Sequence, residues 1–142
     1  MPQAASLFEI VETPISVDEV VARLADPGVG AVTTFVGLVR NTTDNRQVRY
    51  LEYEAYHDMA VASFAAIATE IRERWPEVRS IAMVHRVGRL EVGDTAVVLA
   101  LSAAHRRQVF DALRFAIDRV KQVSTIWKKE VWADGSAWRS EP

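Results

Sequence analysis

Thr95-Ala-Val-Val-Leu-Ala-Leu101, running into Ser102-Ala-Ala-His-Arg-Arg-Gln-Val-Phe110, decides the reading of this chain. The first seven residues carry no charge, and only Thr95 is polar. Such a run reads as a central strand covered on both faces. The sequence then turns polar at Ser102, and a long helix is expected from about Ala104 to Val120. Val109, Phe110, Leu113, Ile117 and Val120 recur at helical spacing and form its expected buried stripe.

Upstream, Ser80 to Val87 is a strand with Ile81, Met83, His85 and Val87 on one side, and Glu91-Val-Gly-Asp94 is the turn that precedes Thr95. Before it, Ala60, Phe64, Ile67, Ala68, Ile71 and Trp75 mark another long helix, opened near His57-Asp58 and stopped by Pro76. Arg49 to Tyr56 alternates: Leu51, Tyr53 and Ala55 share one face, Glu52 and Glu54 the other. Gly30 to Arg40 is a strand rich in Val, Thr and Phe, and Asn41 to Asn45 is turn-like. Ser16-Val-Asp-Glu19 reads as a capping box opening a short helix with Val17, Val20, Val21 and Leu24 as its stripe, ended by Asp26-Pro-Gly28. Downstream, Ser124 to Trp132 alternates, and Ala133-Asp-Gly135 is a hairpin turn before Ser136 to Ser140. Strand pairs adjacent in sequence favour an α+β domain, a mostly antiparallel sheet packed with two long helices. The 142 residues suit one domain, 1–142.

Composition excludes several classes. Hydrophobic residues make up 49% and charged residues 25%, as for a globular chain with a core. No apolar run reaches the roughly 20 residues of a membrane helix, and Met1 to Ile10 lacks the pattern of a signal peptide, so a cytoplasmic protein is expected. There is no cysteine, which removes disulfides, thiolate metal sites and cysteine nucleophiles together. His57, His85 and His105 are the only histidines, and no two stand at a ligand-like helical spacing. Neither a metal nor a resident cofactor is expected.

Charge is unevenly spread. From His105 to Lys129 there are seven Lys/Arg (Arg106, Arg107, Arg114, Arg119, Lys121, Lys128 and Lys129) against Asp111 and Asp118, in a chain of net charge −2. An anionic ligand held by several cations is the simplest reason, whereas a net acidic chain does not fit general nucleic-acid binding. A helix opening near Ala104 would set His105 and Arg106 beside unpaired first-turn amides, a place for a phosphate or carboxylate; the alternative is two solvated arginines. On the same helix Lys121 falls about 20° from Phe110 and about 40° from Ile117, so it continues the apolar stripe. It either snorkels at the helix C-terminus or lines a pocket, where desolvation and neighbouring cations would lower its pKa. Lys128 shares a strand face with Ile126 and Trp132, and Lys129 the other with Trp127 and Val131; both read equally as edge-strand lysines. Arg40 ends a strand in which Gly37 marks a bulge or a close backbone approach.

Several segments together resemble one family. They are Gly30-Ala-Val-Thr-Thr-Phe-Val-Gly-Leu-Val-Arg-Asn41, Leu51-Glu-Tyr-Glu-Ala-Tyr56, Val84-His-Arg-Val-Gly-Arg-Leu-Glu-Val-Gly-Asp94, Ser102-Ala-Ala-His-Arg106 and Ile126-Trp-Lys-Lys-Glu130. In this order, over about residues 29–131, they resemble the large, catalytic subunit of molybdopterin synthase. The resemblance implies an α/β hammerhead-like fold and a sulfurtransferase of molybdenum cofactor biosynthesis. Such an enzyme converts cyclic pyranopterin monophosphate to the molybdopterin dithiolene. It takes sulfur from the C-terminal Gly-Gly thiocarboxylate of a small ubiquitin-like subunit, and two large subunits pair as a homodimer within a heterotetramer. Carried over by motif, Lys121 and Lys128 would be catalytic. Leu38, Val39, Arg40, His105, Arg106, Lys129 and Glu130 would join them in binding substrate, with Glu130 orienting a lysine. Phe35, Gly37 and Ile117 would line the cleft for the partner's tail. Two rivals remain at this point: a scaffold that holds a ubiquitin-like tail without chemistry, and another phosphate-ester enzyme using the same cations.

Overall fold

In the structure, a computed structural model, residues 6–123 and 125–140 are described. Among them the order is β1 (Ser6–Val11), α1 (Val17–Leu24), β2 (Ala31–Leu38), β3 (Thr42–Thr43), β4 (Arg46–Ala55), α2 (His57–Arg74), β5 (Val78–Arg86), β6 (Gly88–Glu91), β7 (Thr95–Ala103), α3 (Val109–Gln122), β8 (Ile126–Trp132) and β9 (Gly135–Ser140). Ser124, the expected start of the strand that contains Lys128, lies outside the described residues.

The apolar strand β7 is central, as its composition requires. It lies in a four-stranded sheet of order β1-β5-β7-β2, antiparallel to both neighbours, while β1 joins β5 in parallel. Alternate side chains enter different cores. Met83, Leu99 and Leu101 point into a large cluster with Phe64, Ile67 and Ile71 of α2 and Ala112, Ala116 and Val120 of α3. Ala82, Val84, Val98 and Ala100 point the other way, under Val20 and Leu24 of α1. Helix α1 opens as its sequence demands, with the Glu19 backbone N–H donating to Ser16 Oγ at 3.2 Å.

The second sheet has the order β3-β4-β8-β9, with β6 on the other side of β4. Its mostly antiparallel pairing and the two long helices agree with the expected α+β class. The register sets Tyr53 opposite Lys128, Leu51 opposite Glu130 and Ala55 opposite Ile126. Directly opposed residues share a face, so this set looks into the large core. Glu52 opposite Lys129, Glu54 opposite Trp127 and Tyr50 opposite Val131 look outward.

Three expectations need correction. Helix α3 begins at Val109, not near Ala104; Arg106–Gln108 form a single 3₁₀ turn, and His105 is extended. Phe110 is 65% exposed and does not belong to the buried stripe. The stripe is Val109, Ala112, Leu113, Ala116 and Val120, because small alanines let the helix lie close on the sheet. Lys121 is therefore exposed, with Ile117 half-buried on the flank. The strands β1 and β6 were not foreseen at all.

Candidate active site

The antiparallel register fixes where the candidate residues lie. Leu38 is paired with Thr95 at the start of β7, and Arg40 follows it, exposed. Gly37 sits at a register shift, and a Cβ there would stand 2.6 Å from Val97 Cγ1 and 3.6 Å from the Phe35 ring. The bulge expected at Gly37 is present, and the close neighbour is a side chain, not a backbone. Leu38 is 57% exposed, whereas Val39 is buried in the large core, its backbone tied to Asp94 and Gly93.

Lys128 belongs to the same end of the molecule. It lies across from Tyr53, whose ring meets His85 edge-on at 4.8 Å, and His85 is the register partner of Val97. The Lys128 side chain is 15% exposed, and Glu130, 1% exposed, reaches it at 3.8 Å. An ammonium so far from bulk water gains much from an adjacent carboxylate. His85 is buried and its pKa is lowered to about 4, burial outweighing the hydrogen bond to the Arg86 carbonyl at 2.8 Å. A carbonyl only accepts, so Nδ1 carries the proton and Nε2 is bare.

Lys121 also comes back to this end. Helix α3 runs over β7 and β2, and its 14 residues cover about 21 Å. Ile117 and Phe35 both pack against the large cluster. The last turn carries Arg119 and Lys121, the first carries Asp111, an ordinary arrangement for the helix dipole. The reasoning that placed Arg106 in the first helical turn therefore does not hold.

His105 and Arg106 lie elsewhere. They follow Ala103, the far end of β7, six residues beyond Val97, or about 20 Å at strand spacing. There they line a cleft of about 1010 Å³ with Arg107, Gln108, Glu77 and Gly30. A side chain at Gly30 would collide with the Ala104 carbonyl, so glycine lets the two backbones meet at the cleft wall. Gln108 Oε1 is buried there without a hydrogen-bond partner. Lys129 leaves β8 by the outer face, its ammonium 5.8 Å from the Trp138 ring.

Within one chain the structure thus brings together Lys128 and Glu130, sets Arg40, Lys121, Gly37 and Phe35 at their end of the sheet, and holds His105 and Arg106 apart. Sequence reasoning passed over Tyr53, the register partner of Lys128, with His85 against its ring, and Gln108 and Glu77 beside Arg106; Arg107 was counted among the cations but not placed in the site. Tyr53 was visible as a polar residue on the apolar face of an alternating strand; nothing in the sequence gives its register against Lys128.

Comparison with known proteins agrees with this architecture. Residues 10–123 match the family model described as MoaE protein. The molybdopterin synthase catalytic subunit of Halalkalibacterium halodurans is 48% identical over 131 residues, 92% of this chain and 83% of that protein. The crystal structure of molybdopterin synthase from Staphylococcus aureus superposes with a TM-score of 0.89 at 43% identity, covering 94% of this chain and 96% of that one. A complex of subunits 1 and 2 of molybdopterin-converting factor from Helicobacter pylori shares the fold, with a TM-score of 0.77 at 20% identity over 94% of this chain and 92% of that one. With four-fifths of its length inside the family match and its sheets and helices laid out as in a solved relative, the chain belongs to the MoaE family.

Proposed function

We propose that this chain is the catalytic subunit of a molybdopterin synthase. Residues 1–142 would act as one domain, a cytoplasmic sulfurtransferase without a resident cofactor. It would build the dithiolene on cyclic pyranopterin monophosphate, taking sulfur from the thiocarboxylated Gly-Gly tail of a small ubiquitin-like subunit. The observation that carries the reading is Lys128, a largely buried lysine held by the buried Glu130 at 3.8 Å on the inner face of β8. A carboxylate so placed fixes the ammonium and leaves its remaining protons for a ligand. The chain has no cysteine, so the sulfur has to arrive on the partner. Lys128 and Lys121 are assigned acid–base or transient nucleophilic roles on the thiocarboxylate or the pterin. Arg40 and Leu38 flank them, with the backbone of Val39, and Phe35, Gly37 and Ile117 line the path of the tail.

His105 and Arg106 are assigned to the phosphate, and the separation of about 20 Å along β7 decides how. They cannot reach the same small substrate as Lys128 of their own chain. In this reading their cleft would meet the lysine end of a second copy, with the homodimer part of the proposed site. Lys129, on the outer face, is left out of that site. The test is incubation with the thiocarboxylated small subunit and cyclic pyranopterin monophosphate, followed by detection of the dithiolene. Product is expected from this chain and none from Lys128→Ala. A Lys128→Ala variant that turns over at the wild-type rate would leave only the scaffold reading.

A further inference from the structure

The outer face of the second sheet carries aromatic residues that the proposed chemistry does not use. Tyr56, at the N-terminus of α2, is 61% exposed, and Trp138 on β9 is 51% exposed. Between them stands Trp127, whose ring meets Tyr56 at 4.9 Å and 85°. Trp138 is the register partner of Lys129, and so the diagonal neighbour of Trp127 on the same face. The backbone N–H of Tyr56 donates to the Thr125 carbonyl at 3.2 Å and anchors the corner. These three rings, Ala55 and Glu54 surround a hollow of about 280 Å³. Glu54 is exposed and lies opposite Trp127 in the sheet register.

The chemistry of this hollow selects its occupant. Aromatic faces present negative charge, and two at right angles with a third alongside make a box for a cation. A neutral apolar group would strip water from the Glu54 carboxylate without replacing it, and an anion would be repelled. The next outward residue of β4 is Glu52, which lies opposite Lys129 and Arg89 and offsets part of their charge beside the hollow. Cation–ring contacts already occur on this sheet: Arg89 lies 3.7 Å from the centre of the Tyr50 ring, Arg46 4.4 Å from that of Trp132, and Lys129 5.8 Å from that of Trp138. We propose that Tyr56, Trp127, Trp138 and Glu54 form a receptor for one arginine side chain of a partner protein docking on the outer face of β8. The planar guanidinium would stack on the rings and pair with the carboxylate. This site is separate from the lysine pocket, and its failure would leave the catalytic reading intact.

The test is a titration of the full chain, carrying ¹⁵N-labelled tryptophan, with capped arginine and with capped citrulline, its neutral isostere. The indole N–H signals of Trp127 and Trp138 are expected to shift saturably with arginine. Those of Trp75, packed on Phe115, and Trp132, under Arg46, stay still. Citrulline and the exposed, fold-neutral variant Glu54→Gln should each weaken binding about fivefold, the scale of one partly exposed ion pair. Equal binding of arginine and citrulline, an unchanged affinity in Glu54→Gln, or no saturable shift at Trp127 and Trp138 would overturn the proposal.

Discussion

Lys128 and Lys129 are consecutive on one strand, and the fold gives them opposite surroundings. Lys128 enters the face lined by Ile126, Tyr53 and Leu51, keeps 15% of its side chain exposed, and meets the buried Glu130. Lys129 enters the face lined by Glu52, Trp127 and Trp138, where its charge lies over a ring at 5.8 Å. The two residues have the same composition and nearly the same address. What separates them is the two-residue period of a strand, which converts one step along the chain into a change of solvent. A desolvated, paired lysine is suited to proton transfer or attack, and a half-exposed one on the outer face is suited to solubility and docking.

The sharpest way to break this contrast is to remove each lysine in turn. Lys128→Ala is expected to lower dithiolene formation by at least about a hundredfold, the range of a lost acid–base group, while small-subunit binding measured by calorimetry persists. Lys129→Ala should stay within about twofold on the same assay, as surface changes do. Equal losses would mean that the two faces do not divide the labour. Glu130→Gln keeps the shape and removes the charge beside Lys128. Its turnover should fall by about 10- to 100-fold through misplacement of the ammonium.

Arg106→Ala probes the distant cleft instead. A lost phosphate contact raises KM by about tenfold with little change in kcat; steady-state kinetics with the pterin substrate separates the two. A separate effect, on stability rather than turnover, concerns His85, which packs on Tyr53, the register partner of Lys128. Its pKa of about 4 in the folded chain lies below the unfolded value of 6.5. The unfolded state therefore binds the proton first, so stability is intact above pH 6.5 and falls as pH drops toward 4. The full loss is roughly 3 kcal/mol. Urea unfolding between pH 7 and 4 should show that slope, and His85→Asn, which cannot titrate, should flatten it.

Much of this fold was legible because it is written locally. The Ser16 cap, the apolar run at 95–101, the alternation around Lys128 and the helical spacing from Ala60 to Ile71 each name one element and its buried face. The start of α3 was misread because Ala104 and the residues after it satisfy helical spacing without being helical. Ala112 and Ala116 were then overlooked in favour of the larger Phe110, although close packing on a sheet selects small side chains. The strands β1 and β6 are short, and their partners are far away in the sequence; β1 completes the sheet only by pairing with β5, some 75 positions later in its register with Ile81. The site divides the same way. The candidate lysines and arginines came from motifs, but their grouping depends on antiparallel registers. Those registers set Lys128 and Arg106 at opposite ends of β7.

That division makes the shared dimer site the claim most open to direct trial. Lys128→Ala and Arg106→Ala chains, co-expressed with different tags and purified as the mixed dimer, can be assayed at substrate below the wild-type KM. If each site takes its lysine from one copy and its arginine from the other, the mixed dimer holds one intact site and regains about half of wild-type activity. If each chain builds its own site, the mixed dimer shows about a twentieth, the residue of the single Arg106→Ala site, and the account is contradicted.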